Sequence, residues 1–220
     1  MIVAIDGPAG AGKSTVSRAL AARLAFGHLD TGAMYRAVAL AATATGIDPS
    51  DATSVEQLLK GARLSFAPSP DGLTVSLGDD DVTEAIRAPE ISAAASVVAR
   101  HAGVRSALVA HQRLILSAGD WVADGRDIGS VVCPDAAVKV YLTADPTERA
   151  RRRFDELGPE SLASTTLDHV RVDIERRDHQ DTTRLDSPLV VADGAAVIDS
   201  TGRTVDDVVS EIAQLVEDQR

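Results

Sequence analysis

Several residue types are scarce or missing in this chain of 220 residues. Asparagine is absent, which excludes the guanine-specific GTPases because they need an Asn-Lys-x-Asp segment. The single cysteine, Cys133, excludes an intrachain disulfide and fits a reducing compartment. It follows Val131-Val132, and we expect it to be a small buried hydrophobic residue. Aromatic residues make up only 3% of the chain, so Ala, Val, Leu and Ile must build the core.

Positive charge and long apolar runs are also lacking. The formal net charge of −11 argues against binding to a nucleic-acid polymer, because proteins that bind DNA or RNA usually present a basic surface. No apolar run reaches the length of a membrane span, and the N-terminus lacks a basic segment followed by a long apolar one. We therefore expect a cytoplasmic protein without a membrane partner, built as a single domain over residues 1–220.

One segment carries recognisable chemistry. Residues 7–15, called the P-loop below, fit the pattern G-x-x-x-x-G-K-[ST] and follow the apolar run Ile2–Ile5. Between a strand and a helix, the backbone N–H groups of such a loop surround phosphate oxygens, its lysine reaches the β- and γ-phosphates, and its hydroxyl coordinates Mg²⁺. Only three of the 22 basic residues are lysines, as expected if a compact ammonium is kept for phosphates. The predicted ATP-binding residues are Gly7, Pro8, Ala9, Gly10, Ala11, Gly12, Lys13, Ser14 and Thr15.

Short apolar runs alternate with helical patterns along the chain. The predicted strands are Ile2–Ile5, Trp121–Ala123, Val138–Leu142 and Ala196–Ile198. The predicted helices are Lys13–Ala25, Ala33–Thr45, Pro89–Arg100, Val104–Ala118, Thr147–Leu157, Thr166–Asp178 and Val205–Gln219. This order indicates an α/β fold with a parallel sheet flanked by helices, and ligands at the carboxyl ends of the strands.

Residues 62–86 interrupt that alternation. Arg63–Ala67 and Leu73–Leu77 are strand-like and are joined by the turn signal Pro70-Asp71-Gly72. Asp79–Val82 adds a third short strand. The segment is therefore predicted to be a small antiparallel insertion, whereas Gly158–Thr165 is predicted to be a flexible loop.

Charged residues follow the predicted strands. Asp124 can hold Mg²⁺ through water, Arg126 can bind a phosphate, and Asp127 can accept a hydrogen bond from an amino group. Arg149, Arg151, Arg152 and Arg153 repel one another unless an anion is present, which favours a phosphate clamp over a solvated helix face. Arg177, Asp181 and Arg184 share a helix face as either ligand contacts or a salt-bridge ladder. Together these parts predict phosphoryl transfer, which needs a loop for ATP, an arginine lid and an acceptor cradle.

The same segments resemble those of the bacterial cytidylate kinases, which transfer the γ-phosphoryl group of ATP to CMP and dCMP. The resemblance extends over nearly the whole chain. It is carried by Ile5–Ser14, Leu29–Arg36, Asp124–Gly129, Arg177-Asp178 with Asp181 and Arg184, Pro188-Leu189 and Ile198–Thr201. It implies a monomeric P-loop kinase in which residues 62–86 form a nucleoside-monophosphate-binding (NMP-binding) subdomain and residues 149–165 form an arginine-rich lid.

The resemblance also implies roles for individual residues. The cytosine pocket would consist of Thr31, Arg105 and Asp127, with Arg36, Arg126 and Arg184 on the acceptor phosphate, Ser96, Arg177 and Asp181 at the sugar, and Tyr35 as a further CMP contact. The catalytic residues would be Lys13, Asp124, Arg126, Arg149 and Arg153, with Ser14 and Asp124 toward Mg²⁺. The chemistry of the base agrees, since a carboxylate accepts from the cytosine amino group and a guanidinium donates to the acceptors beside it.

Two other functions compete with this one. A small-metabolite kinase of shikimate or gluconate type would need neither the insertion nor the predicted nucleotide contacts. A nucleotide-binding regulator would keep the P-loop but would have no use for lid arginines. The five histidines, His28, His101, His111, His169 and His179, have no spacing that suggests a metal site, and we expect them to be structural or surface residues.

Overall fold

The structure is a computed structural model that describes residues 1–69, 72–157 and 165–220. The predicted turn residues Pro70 and Asp71, and residues 158–164 of the predicted loop and lid, lie outside the described residues. Among the helices of the described ranges, none combines the length and the apolar character needed to span a bilayer.

Strands and helices alternate through most of the chain. The strands are β1 (Ile2–Asp6), β2 (Gly27–Asp30), β3 (Leu64–Ser69), β4 (Gly72–Leu77), β5 (Asp80–Asp81), β6 (Trp121–Gly125), β7 (Val138–Thr143) and β8 (Ala196–Asp199). The helices are α1 (Lys13–Leu24), α2 (Thr31–Ala44), α3 (Ala52–Gly61), α4 (Pro89–Val98), α5 (Ala102–Leu116), α6 (Pro146–Asp155), α7 (Leu167–Thr183) and α8 (Val205–Glu217). A 3₁₀ turn at Ala85–Arg87 and a π-helical turn at Ile128–Val132 complete the described elements.

A five-stranded parallel sheet in the order β2-β6-β1-β7-β8 forms the centre of the fold. Alternate residues of β1 point to opposite faces, as strand geometry requires. Ala4 belongs to a core shared with α2, α4 and α5, whereas Val3 and Ile5 belong to a core shared with α1 and α8. The predicted parallel sheet with helices on both faces is confirmed.

One strand and one α-helix were not predicted. Strand β2 pairs in parallel with β6, with Gly27 opposite Trp121 and Asp30 opposite Asp124. It has only four residues and two of them are polar, so its sequence gives no clear strand pattern. Helix α3 begins after Asp51, whose side chain accepts a hydrogen bond from the Ser54 N–H.

The predicted small antiparallel sheet is also confirmed. Strands β3 and β4 pair with Leu64 opposite Leu77, and β5 pairs with β4. Leu73 and Val75 are buried in the core on the α2 face of the central sheet, and β4 lies against β2 and α2. This small sheet therefore lies beside β2, the edge strand of the central sheet.

Candidate functional site

A cavity of about 500 Å³ lies at the carboxyl ends of β1, β2 and β6. All ten residues predicted to contact CMP line it. So do six residues of the P-loop and four of the five predicted catalytic residues, the exception being Arg149. The fold thus brings residues from positions 9 to 184 of the chain to one cavity.

The P-loop curves around one end of this cavity. Gly12 adopts a left-handed conformation with φ 88°, which lets α1 begin at Lys13 with its N-terminus toward the cavity. The Lys13 ammonium is buried and donates to the Pro8 carbonyl at 2.7 Å. Burial, with the Arg126 guanidinium nearby, lowers the pKa of Lys13 well below its usual value. An anion beside the Lys13 ammonium would favour its charged form and so oppose this lowering of the pKa.

Asp124, at the end of β6, connects several elements. Its Oδ2 accepts from the Ser14 hydroxyl at 2.7 Å, and its backbone carbonyl accepts from the Thr31 hydroxyl at 2.7 Å. Its Oδ1 lies 2.7 Å from the His28 Nε2. Because a carboxylate only accepts hydrogen bonds, the His28 Nε2–H is the donor in this contact. A hydroxyl and a carboxylate oxygen therefore meet beside the P-loop, and both residues line the cavity.

His28 is a residue whose position the sequence did not reveal. It is 5% exposed and holds the Asp124 side chain from β2. Its expected structural placement agrees with this burial, but its contact with a predicted magnesium residue was missed. No local pattern pointed to this contact, because strand β2, which places His28 beside Asp124, was itself not predicted.

The cavity wall also contains a buried ion pair. The Arg105 Nη2 donates to the Asp127 Oδ2 at 2.6 Å, and their side chains are 4% and 8% exposed. The guanidinium carbon of Arg105 lies 5.9 Å from the centre of the Tyr35 ring, a distance compatible with a cation–π contact. Burial raises the pKa of Tyr35 to about 12, so its phenol stays protonated.

Further arginines of the cavity pair with carboxylates. Asp181 accepts from the Arg126 Nε at 2.8 Å and from the Arg184 Nη1 at 3.4 Å. Although burial raises the pKa of Asp181, the neighbouring guanidiniums, Arg126 first, bring it below its usual value. In the same way Arg36 donates to Asp30 at 2.8 Å. These arginines are held in place before any ligand binds.

Arg177 also lines the cavity, near Lys13 and Arg126. Burial, together with the charge of Arg126, lowers the pKa of Arg177 to about 10. Three cations thus lie close together in a partly desolvated space, which is unfavourable unless anionic groups are present. The cavity is electrostatically suited to phosphate groups.

The arginines of α6 do not all face the cavity. Arg149 donates to the carbonyls of Ala144 and Ala9 at 3.1 and 3.0 Å. Arg152 donates to the Ser200 hydroxyl and carbonyl at 2.9 and 2.8 Å. Arg151 pairs with Glu148 and Asp155, and only Arg153 lines the cavity. Of the four arginines predicted as a phosphate clamp, the structure therefore places one where it can meet a ligand in the cavity.

Cys133 and Asp6 lie near the turn that follows Asp127. Cys133 is only partly buried, not fully buried as expected, although burial raises the pKa of its thiol.

Both carboxylate oxygens of Asp6 accept hydrogen bonds from backbone N–H groups, those of Ile128 and Gly129, at 2.8 Å each. Asp6 thereby fixes the π-helical turn that begins next to Asp127.

Asp6 gives the protein a pH-dependent stability. Burial raises its pKa from 3.8 to about 6, although the two N–H groups oppose this. The folded state therefore binds a proton more tightly than the unfolded state. The resulting stability is complete below pH 3.8 and is lost as the pH rises through about 6. We expect the unfolding free energy of the wild type, relative to Asp6→Asn, to fall by up to about 3 kcal/mol across this window.

Urea unfolding of both proteins between pH 3.5 and 8 measures this difference. The comparison with the non-titrating variant removes the opposite contributions of Asp30 and Asp181, whose pKa values are lowered. A difference that stays constant, or that increases with pH, would contradict the assignment.

Comparison with known proteins identifies the family. A sequence model of the cytidylate kinase family matches residues 3–218. The chain belongs to this family. It is 46% identical over 215 residues to a cytidylate kinase of Leuconostoc mesenteroides, covering 98% of this chain and 96% of that one. It is also 46% identical over 217 residues to a cytidylate kinase of Solibacter usitatus, covering 98% and 92%.

Some relatives of the cytidylate kinase family are longer. A bifunctional pantoate ligase/cytidylate kinase of Prochlorococcus marinus is 48% identical over 215 residues, which are 97% of this chain but 43% of that protein. The chain therefore spans less than half the length of such relatives. Among solved structures, a shikimate kinase from Acinetobacter baumannii in complex with shikimate matches with a TM-score of 0.50 and 15% identity, covering 100% of this chain and 94% of that one. At that identity the likeness shows the fold alone.

Proposed function

We propose that the chain transfers the γ-phosphoryl group of Mg²⁺-bound ATP to CMP or dCMP, giving ADP and CDP or dCDP. The observation that carries this proposal is the buried Arg105–Asp127 pair, which lines the same cavity as the P-loop. Family membership supports it, because the two relatives matched over nearly their full length are named cytidylate kinases.

The P-loop would bind the donor. Lys13 would lie against the β- and γ-phosphates, and the N-terminus of α1 would add its favourable partial charge. Arg126 and Arg177, whose charges add to burial in lowering the pKa of Lys13, would help neutralise the transferred phosphoryl group. Arg153, the α6 arginine at the cavity, would be the lid contact.

The residues present fit a magnesium ion. Ser14 and Asp124 provide a hydroxyl and a carboxylate oxygen that lie 2.7 Å apart at the cavity wall. Among the described residues there is no group of three or more His, Cys, Asp or Glu side chains able to hold a metal. That agrees with the usual binding of Mg²⁺ by few protein oxygens, with phosphates and water completing its shell. When bound, the ion neutralises charge on the phosphate oxygens.

The other end of the cavity would hold the acceptor nucleotide. Asp127 would accept from the cytosine amino group and Arg105 would donate to the ring acceptors, with Thr31 and Tyr35 beside them. Arg36, Arg126 and Arg184 would bind the acceptor phosphate, and Ser96, Arg177 and Asp181 would face the sugar. An oxygen of the acceptor phosphate would then attack the γ-phosphorus while the bond to the β-phosphate oxygen breaks. No general base is needed, because the attacking oxygen is already anionic at neutral pH.

An acceptor panel tests the proposal. Purified protein is incubated with Mg²⁺-ATP and, separately, CMP, dCMP, UMP, AMP, GMP and shikimate, and ADP release is followed. We expect CMP and dCMP to be the best acceptors, with kcat/KM for CMP roughly tenfold to a hundredfold or more above that for UMP, since uracil leaves buried hydrogen-bonding groups unpaired. Removal of Mg²⁺ with a chelator should abolish turnover. ADP release with shikimate instead, or release that no acceptor stimulates, would overturn the proposal.

A monomeric state and a cytoplasmic location stay predictions from the sequence. Light scattering of the purified protein and fractionation of the source cells would check them.

A further inference from the structure

Residue Ala9 of the P-loop is held by two helices that follow it by more than a hundred residues in the chain. Its N–H donates to the Asp178 Oδ1 at 3.0 Å, and its carbonyl accepts from the Arg149 Nη1 at 3.0 Å. Arg149 and Asp178 also form an ion pair with each other. Ala9, Arg149 and Asp178 thus close a three-membered set of contacts, called the Ala9 clasp below.

The Ala9 clasp is packed as well as hydrogen-bonded. The Ala9 methyl lies in a small apolar cluster with Ala150 of α6 and with Val170 and Ile174 of α7. A Cβ added to the next residue, Gly10, would lie 2.7 Å from the Arg149 carbonyl oxygen, so the loop backbone touches α6 directly. Ion pairs and hydrogen bonds in such partly buried surroundings are stronger and more rigid than those exposed to water.

Neither charged residue of the Ala9 clasp lines the cavity, but their neighbours do. Arg177 and Asp181, one position before and three after Asp178 on α7, both line it. Gly10, Gly12 and Lys13 of the P-loop line it as well. The clasp therefore joins the loop assigned to the donor phosphates to the helix assigned to the acceptor nucleotide.

We propose that Asp178, together with Arg149, is a positioning pair that fixes the P-loop relative to α7 without touching either substrate. This inference rests on the proposed function for its kinetic consequence. Phosphoryl transfer depends mainly on alignment of the attacking oxygen with the phosphorus, and a misplacement of about 1 Å can cost about a hundredfold in rate. Loosening the clasp leaves each half of the site intact, so it impairs the alignment of the two substrates more than the binding of either.

Two substitutions test the clasp in the full-length protein. Asp178→Ala removes both contacts of the carboxylate, whereas Asp178→Asn keeps an oxygen for the Ala9 N–H and weakens only the pairing with Arg149. We expect kcat to fall about tenfold to a hundredfold in Asp178→Ala and less in Asp178→Asn, with KM for ATP and for CMP changed less than about threefold. The matched control is Glu175→Gln, which removes a carboxylate of the same helix from an exposed pair with Arg171 and should behave as wild type.

Amide hydrogen exchange gives a second readout that does not depend on turnover. Peptides covering residues 7–15 should exchange faster in Asp178→Ala than in the wild type or Glu175→Gln, because the loop has lost its anchor. If Asp178→Ala does not fold, kcat and amide exchange are both measured on Asp178→Asn instead. If the tested Asp178 variant keeps both the kcat and the amide exchange of the wild type, the positioning role of the Ala9 clasp is overturned. A wild type that phosphorylates no acceptor would overturn the proposed function instead, and the exchange comparison would still decide the clasp.

Discussion

Lys13→Ala is expected to lower kcat for phosphoryl transfer to CMP by at least about a thousandfold. The Lys13 ammonium is buried at the start of α1, and its only protein acceptor among the described residues is the Pro8 carbonyl. Under the proposed function it would neutralise the transferred phosphoryl group, and alanine removes a positive charge that water entering the space cannot fully replace. Steady-state ADP release at saturating ATP and CMP measures the loss.

The fold should survive this change, since burial disfavours the charged Lys13 and its removal leaves no unpaired ion. A thermal unfolding curve checks that point. Lys60 offers a matched control, because it is one of the other two lysines and is exposed on α3. Lys60→Ala should keep wild-type kinetics. Retention of activity within about tenfold of wild type in Lys13→Ala would refute the assignment of the P-loop lysine.

The second large effect is expected for Asp127. Asp127→Ala should lower kcat/KM for CMP about a hundredfold or more, with the apparent KM for ATP changed less than about twofold. The reason is that the carboxylate lines the cavity and holds Arg105 at 2.6 Å, and under the proposed function it would accept from the cytosine amino group. Initial rates with each substrate varied in turn give both constants. Equal damage to both substrates would mean that Asp127 has a structural or metal-linked role.

Asp127→Asn separates recognition of the base from loss of structure. Alanine leaves the buried Arg105 without its counter-charge, which is destabilising in itself. Asparagine keeps the shape and one acceptor for Arg105, but its amide can donate where the carboxylate only accepts. We therefore expect the ratio of UMP to CMP turnover to rise in this variant, because uracil presents an oxygen where cytosine has an amino group. An unchanged ratio would remove Asp127 from the base pocket.

Local patterns were sufficient to predict most of the fold. The apolar runs of β1, β6, β7 and β8 are short and continuous, as buried parallel strands are, and the glycine-rich loop after β1 fixes the start of α1. Strand β2 escaped prediction because half of its four residues are polar, and its strand conformation comes from pairing with β6. Such pairing is a long-range property that a local pattern does not contain.

For the candidate site, the sequence predicted many of the cavity-lining residues but not the contacts that hold them in place. Residues with a chemical reason to meet a nucleotide, such as Lys13 and Asp127, lie at the cavity. The row of arginines on α6 predicted a phosphate clamp, and that stays a prediction; the row did not reveal that Arg149 and Arg152 donate to carbonyl groups of residues 9, 144 and 200. Asp178 was noticed only as part of a family segment. Its contact with Ala9 joins residues 169 positions apart, and no spacing rule reports such a contact.

The Ala9 clasp also restricts which residues can replace Arg149. Its guanidinium uses Nε for the Ala144 carbonyl and Nη1 for the Ala9 carbonyl, so two nitrogens set apart by a rigid plane serve acceptors on different elements. A lysine would carry the same charge on a single nitrogen at the end of a flexible stem, and could not span both acceptors. At position 149 an arginine is therefore required for its shape as well as its charge. A lysine would keep the charge but would not hold the P-loop through both carbonyl groups.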